Sequence, residues 1–245
     1  MNRRALLLIG LVALAAIPSL AALWLAGPGG DDGAVLIFAP SSFAPIEAEL
    51  DAGLAAEGIG PVGWVFAGSQ SLVAQLVDGA PADALITADL STFAAAQAAK
   101  VTWPDERLIT FNVLVLAVAD GNPGEVTNLE ALADPDLLIG FCAVEVPCGR
   151  LAANITSTLG VTSAPDTEET SVRALTAKLI AGEIDAALIY RSDAQTTGLT
   201  TVPVDGLNSL TNEYWGSGND RGMEVLHWLG SGAGQRILID SGWGP

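Results

Sequence analysis

The amino-acid sequence predicts an α/β fold, on three observations. Half of the 245 residues are hydrophobic, enough to fill one large core or two modest ones. Glycine and alanine are plentiful while aromatics make up only 6%, a balance that fits an all-β sandwich poorly. Short apolar runs that end in small-residue turns alternate with apolar residues at helical spacing, the pattern of strand-turn-helix units.

Val35 to Ala39 is the first such run. It ends in Pro40-Ser41-Ser42, after which Ile46, Leu50 and Leu54 recur every four residues. Proline is tolerated only in a first helical turn, so Pro45 predicts a helix start near Ser42, with Ser42 as N-cap. Val62 to Ala67 is the second strand, Gly68-Ser69 its turn, and Leu72, Val73, Leu76 and Val77 mark a helix that stops at Gly79. Ala84 to Thr87 is a third buried strand, followed by an alanine-rich helix reaching about Lys100. Farther on, Val113 to Val118, Leu138 to Cys142 and Ala186 to Tyr190 read as strands. Helices are predicted between Cys148 and Leu159 and from Ser171 to Ala181. This middle block has the size of a second α/β lobe. The tail, Met223 to Leu229 and Gln235 to Ile239, is helical in pattern but has too little core to stand alone. It is expected to pack back on the first lobe, so that the chain crosses between lobes twice.

Both the start of the chain and its charge restrict function. Met1-Asn2-Arg3-Arg4 precedes an uncharged stretch from Ala5 to Ala26, a positive segment followed by an apolar one, as in an export signal. Its 22 residues would also span a bilayer as an uncleaved anchor, and Ser19-Leu20-Ala21 is a mediocre cleavage site. Residues 1–26 are thus a signal peptide or membrane anchor, and the glycine-rich 27–33 a linker. The formal net charge of −18 repels phosphate backbones and argues against a nucleic-acid partner. Cys142 and Cys148 are the chain's two cysteines. In an exported protein they predict a disulfide; a metal pair is the weaker alternative, because two thiols without further ligands leave a zinc site incomplete.

Several strand-to-helix turns carry small or hydroxylated residues where helix N–H groups point outward, and helix N-termini bind anions without a charged side chain. Ser42 and Ser69 are the best placed, each with a hydroxyl and an N–H to give, although each also fits an ordinary N-cap. Their neighbours extend the pattern: Phe38-Ala-Pro-Ser-Ser42-Phe, Phe66-Ala-Gly-Ser69-Gln-Ser-Leu-Val-Ala-Gln-Leu, Gly79-Ala-Pro-Ala-Asp83-Ala-Leu-Ile-Thr-Ala-Asp89, Val146-Pro-Cys148-Gly149, Ser171-Val172-Arg-Ala-Leu and Ile189-Tyr190-Arg-Ser-Asp193-Ala. In this order they resemble the periplasmic molybdate-binding proteins of ABC importers, over most of residues 34 to 240.

The resemblance implies a bilobed type II periplasmic-binding-protein fold, two α/β lobes joined by a two-strand hinge. Residues 34–111 and 204–245 would form lobe 1, and residues 112–203 lobe 2. It further implies molybdate or tungstate as ligand, held through its oxygens with no direct bond from protein to metal and no cofactor. An importer permease is the implied partner, and the protein is expected to be monomeric, non-enzymatic, and periplasmic or at the cell surface. The family's five liganding positions fall on Ser42 and Ser69 (hydroxyl and N–H), Cys148 and Val172 (backbone N–H) and Tyr190 (hydroxyl). The third is commonly alanine in the family and is Cys148 here, a tolerable change for a backbone contact. Between Tyr214 and Asp220 the chain is shorter than the family's usual strand, which places the sheet edge of the first lobe in question.

Competing readings rest on fewer residues. A receptor for another oxyanion or a small acid would use the same cleft. A serine hydrolase would need Ser42 or Ser69 beside His227, the lone histidine, without a Gly-x-Ser-x-Gly elbow. Asp83 and Asp89 are read as residues that orient turns and cap helices rather than as an acid/base pair. Gly230-Ser-Gly232-Ala-Gly234 joins two helices and follows no strand, so it reads as a linker, not a phosphate loop. Trp215, Trp228 and Trp243 read as packing residues.

Overall fold

The computed structural model describes residues 33–244. Apart from Gly33, the leader and linker expected over 1–33 lie outside them; among the described residues no helix is long and apolar enough to cross a membrane.

Two five-stranded sheets form two lobes. In the first, β1 (Val35–Pro40), β2 (Val62–Ala67) and β3 (Ala84–Thr87) run parallel, with β1 in the middle of the three. Their burial follows from sequence: Ile37, Ala39, Ala84, Leu85 and Ile86 are fully enclosed, as expected of parallel strands covered on both faces. Between them come α1 (Glu47–Ala56), α2 (Ser69–Val77) and, after β3, α3 (Leu90–Ala98). Asp89 caps α3 by accepting from the Thr92 N–H at 2.8 Å. Asp83 accepts from the Leu36 N–H and from the Asn219 side chain, each at 2.8 Å, so both aspartates orient backbone as expected.

The chain leaves this sheet through β4 (Glu106–Asn112) and enters the second through β5 (Leu114–Val118). The second sheet adds β6 (Ile139–Cys142), β7 (Thr167–Glu169), β8 (Ala186–Tyr190) and β9 (Thr201–Val202), ordered β7-β6-β8-β5-β9. Against it pack α4 (Pro147–Leu159), α5 (Val172–Ile180) and α6 (Arg191–Thr197). Pro147 stands in the first turn of α4, where its missing N–H costs nothing. The chain then returns through β10 (Asn212–Gly218), followed by α7 (Asp220–Leu229) and α8 (Gly232–Asp240). Met223, Leu226, Leu229, Leu238 and Trp243 share one core with Ile37, Phe43 and Leu50 of the first lobe.

Two expectations are corrected. The segment around Trp215, which left the sheet edge of the first lobe in question, is an interior strand of that sheet. β10 is a seven-residue strand, antiparallel to β3 on one side and β4 on the other. Asn212, Tyr214 and Gly216 are buried while Glu213 and Trp215 are less so, a period of two that the polar Asn212 and Glu213 hide in the sequence. Nor is Ser42 an N-cap. Residues Ser41–Ile46 form a 3₁₀ turn that contains Pro45, and α1 begins only at Glu47. A tight 3₁₀ turn accommodates the proline and leaves the Ser42 side chain for another partner.

Candidate functional site

The carboxyl ends of β1, β2, β3, β6, β7 and β8 and the helices or turns that follow them converge on one recess. Its lining includes Ser42, Ser69, Cys148, Val172 and Tyr190, together with Pro40, Gly68, Ala88 and Pro147. The recess holds about 210 Å³ of atom-free space including open solvent at its mouth. None of its lining residues is lysine, arginine, aspartate or glutamate.

Local structure explains what each position can offer. Ser69 opens α2, Val172 opens α5, and Cys148 is the second residue of α4. N–H groups in a first helical turn have no intrahelical acceptor, so these three are left to point at a ligand along the positive ends of the helices. Ser42 comes from the 3₁₀ turn and Tyr190 from the end of β8. Ser42, Ser69 and Tyr190 are each 1% exposed, so a ligand bound to their hydroxyls would be largely out of water.

The backbone comes unusually close at two glycines. A Cβ on Gly149 would overlap the carbonyl oxygens of Ala143 and Cys142, so only glycine lets α4 begin this tightly against the end of β6. Cys142 and Cys148 form a disulfide across the same loop, with their Cα atoms 5.8 Å apart. A Cβ on Gly68 would overlap the Thr170 carbonyl oxygen in the opposite lobe. The lobes meet here: Gln70 Nε2 donates to the same carbonyl at 2.9 Å. On another side Arg150 Nε donates to Asp89 at 2.8 Å, and its guanidinium also reaches Thr92.

The acidity of the chain does not extend into the recess. Two carboxylates, Asp89 and Asp193, act on the Tyr190 hydroxyl. Asp89 is paired with Arg150 at 2.8 Å. Burial raises the Asp193 carboxyl from the usual 3.8 to about 8, so at neutral pH it is protonated and uncharged. Burial also pushes the Tyr190 phenol well above its ordinary range, with Tyr214 adding to the effect. Tyr190 therefore keeps its proton to donate.

Sequence reasoning missed the groups behind the lining. Tyr214 Oη lies 3.1 Å from Ser42 Oγ, Asn212 Nδ2 lies 2.6 Å from Tyr190 Oη, and the Ala88 N–H donates to Ser69 Oγ at 3.0 Å. Asn212 and Tyr214 belong to no recognisable motif, whereas Ala88 lies within the Gly79 to Asp89 block. His227 is exposed and lines a different groove, with Glu57, Asp105, Glu106, Asp220 and Glu224. The structure does not bring it to Ser42 or Ser69, so the hydrolase triad is not assembled.

The sequence matches the bacterial extracellular solute-binding proteins across residues 35–244. The chain belongs to this family, among its ModA-like members. The molybdate-binding protein ModA of Mycobacterium tuberculosis is 30% identical over 230 residues, covering 89% of this chain and 87% of the relative. Among solved structures, the periplasmic molybdate-binding protein of Azotobacter vinelandii superposes with a TM-score of 0.70 at 15% identity, over 85% of this chain and 98% of that one. The sulfate-binding protein SubI of M. tuberculosis gives 0.67 at 15% identity, over 86% of each chain. At such identities the likeness is one of fold, the bilobed type II binding-protein architecture. Membership implies an exported binding protein.

Proposed function

We propose that this binding protein captures molybdate or tungstate in the recess between its lobes and hands it to an ABC importer. The observation that carries the reading is the convergence of Ser42, Ser69, Cys148, Val172 and Tyr190 on one buried recess with no cationic side chain in its lining. Relatives named as molybdate-binding proteins support the choice of anion.

Neutral donors suit this task. A fully deprotonated oxyanion only accepts hydrogen bonds, and hydrogen bonds to a charged group are worth roughly 1.5–3 kcal/mol each. The metal is bound through its oxygens, as cargo, and no cofactor or turnover is required. The lobes expected at 34–111 with 204–245 and at 112–203 move against each other. The second crossing comes later than expected, since Val204, Leu207 and Leu210 pack in the second lobe's core, and Asn112 pairs in the first sheet. Ser42 and Ser69 come from the first, Cys148, Val172 and Tyr190 from the second, so neither surrounds the anion alone and ligand contacts favour closure. The protein works as a monomer that docks on its permease, and the stretch 5–26 directs export, whether cleaved or kept as an anchor.

Calorimetric titration with molybdate, tungstate, sulfate and phosphate tests the reading. Tight binding of the first two and weak or absent binding of the others is expected. Preference for sulfate or phosphate would reassign the ligand.

A further inference from the structure

Asn212 sits on β10 of the first lobe, buried, outside the recess lining. Its Nδ2 makes two contacts in the opposite lobe, with Tyr190 Oη at 2.6 Å and with the Pro147 carbonyl oxygen at 3.1 Å. The second fixes the chemistry of the first. A carbonyl oxygen can only accept, so the amide must turn its NH₂ toward Pro147. An amide nitrogen has no lone pair to offer, and Tyr190 Oη is therefore the acceptor of the bond with Asn212. The two N–H bonds of the amide are then both used. The Tyr190 proton must point elsewhere, toward the neighbouring Tyr214 hydroxyl or into the recess that Tyr190 lines, where a bound anion is the stronger acceptor.

Ser69 has the same arrangement: its Oγ accepts from the Ala88 N–H behind it, leaving its proton for the cavity. A hydroxyl without such a partner rotates and presents either a proton or a lone pair. With a donor behind it, it is poised to donate forward.

We propose that Asn212 is a positioning residue that makes the Tyr190 hydroxyl a donor toward the bound anion, so that the recess discriminates against tetrahedral anions that carry a proton. The inference rests on the reading of the recess as an oxyanion site and deepens it. Molybdate presents four acceptor oxygens. Hydrogenarsenate, of the same charge, presents one O–H that needs an acceptor, and a hydroxyl committed to donation withholds it. Burial keeps the phenol protonated over the working range, so the distinction is not lost by ionisation of Tyr190.

A double-mutant cycle tests the proposal: molybdate affinity of the wild type, Asn212→Leu, Tyr190→Phe and the double variant, by calorimetry. Asn212→Leu is expected to weaken binding about tenfold with Tyr190 present, and less than about twofold in the Tyr190→Phe background. An equal loss in both backgrounds means that Asn212 acts only by holding Pro147 at the start of α4, and overturns the proposal. Competition by hydrogenarsenate, at a pH where molybdate is fully deprotonated and arsenate keeps one proton, supplies a second readout. The preference for molybdate should shrink about fivefold in Asn212→Leu; an unchanged ratio contradicts the specificity role. Asn212→Ala serves the same cycle if the leucine variant does not fold. A wild type that fails to bind molybdate at all would remove the site reading itself, whereas binding with an additive cycle removes this proposal alone.

Discussion

The two lobes contribute to one recess in different currencies. The first offers side-chain hydroxyls on a 3₁₀ turn and a helix start, Ser42 and Ser69. The second offers two N–H groups at the starts of α4 and α5, with a single hydroxyl from Tyr190. Donors of the first kind depend on the residue present, whereas donors of the second kind depend on where the backbone is held. Substitution should therefore be severe at Ser42, Ser69 and Tyr190 and mild at Cys148 and Val172, provided the backbone of the second lobe stays in place.

Removing both serine hydroxyls offers the strongest test of that contrast. Ser42→Ala combined with Ser69→Ala deletes two hydrogen bonds to a charged ligand, and affinity for molybdate should fall by about three orders of magnitude. The ligand-free protein should lose stability as well, because the buried Ala88 N–H and Tyr214 hydroxyl lose partners, so the calorimetric affinities are compared well below the lowered melting temperature. Next in size is Gly68→Ala. Its Cβ would strike the Thr170 carbonyl across the lobes, and relieving such overlap costs on the order of 1–3 kcal/mol. Binding should weaken about tenfold, since the Gln70 amide that the Cβ also meets can swing aside while the Thr170 carbonyl cannot.

How much of this was legible in the sequence differs between the lobes for the same reason. Strands Ala84–Thr87 and Ala186–Tyr190 were visible as apolar runs because both their faces are covered, and Val62–Ala67, half-buried at the sheet edge, by its apolar run alone. Ser42 and Ser69 were visible because a hydroxyl after a strand is a chemical signal. Cys148 and Val172 carried none, since an N–H belongs to every residue but proline, and only a resemblance singled them out. Asn212 and Tyr214 were hidden for another reason: β10 is distant in sequence from the elements they serve, and a lone buried amide has no periodicity. Gly68 reads as a turn residue from sequence; that the opposite lobe presses on it is a tertiary fact.

The second lobe also contains a proton that the first lacks. With the Asp193 carboxyl raised from 3.8 to about 8 by burial, the folded state retains a proton that the unfolded state releases above about pH 4. The contribution of Asp193 to stability is therefore full below that pH and declines as pH rises from about 4 to about 8, at up to about 1.4 kcal/mol per unit. Asp193→Asn removes the carboxyl, so its melting temperature should vary less across this window and exceed that of the wild type by a margin that grows with pH. A parallel pair of melting curves would count against the burial account.

The smallest expected effects on binding are in the second lobe. Val172→Ala should change molybdate affinity by less than about twofold, since its donor is backbone. Replacing Cys142 and Cys148 together by alanine should lower stability by about 2 kcal/mol through loss of the short closed loop. Affinity should follow only as far as the α4 start loosens, and Gly149, pressed against Ala143, still holds it.

The central claim is that uncharged groups from both lobes surround a metal oxyanion. A crystal structure grown with molybdate, read at the molybdenum absorption edge, addresses it most directly. A single anomalous peak enclosed by Ser42, Ser69, Cys148, Val172 and Tyr190, with its oxygens at hydrogen-bond distance from their N–H and O–H groups, is the predicted result. A peak held by lysine or arginine, or one lying outside this recess, would contradict it.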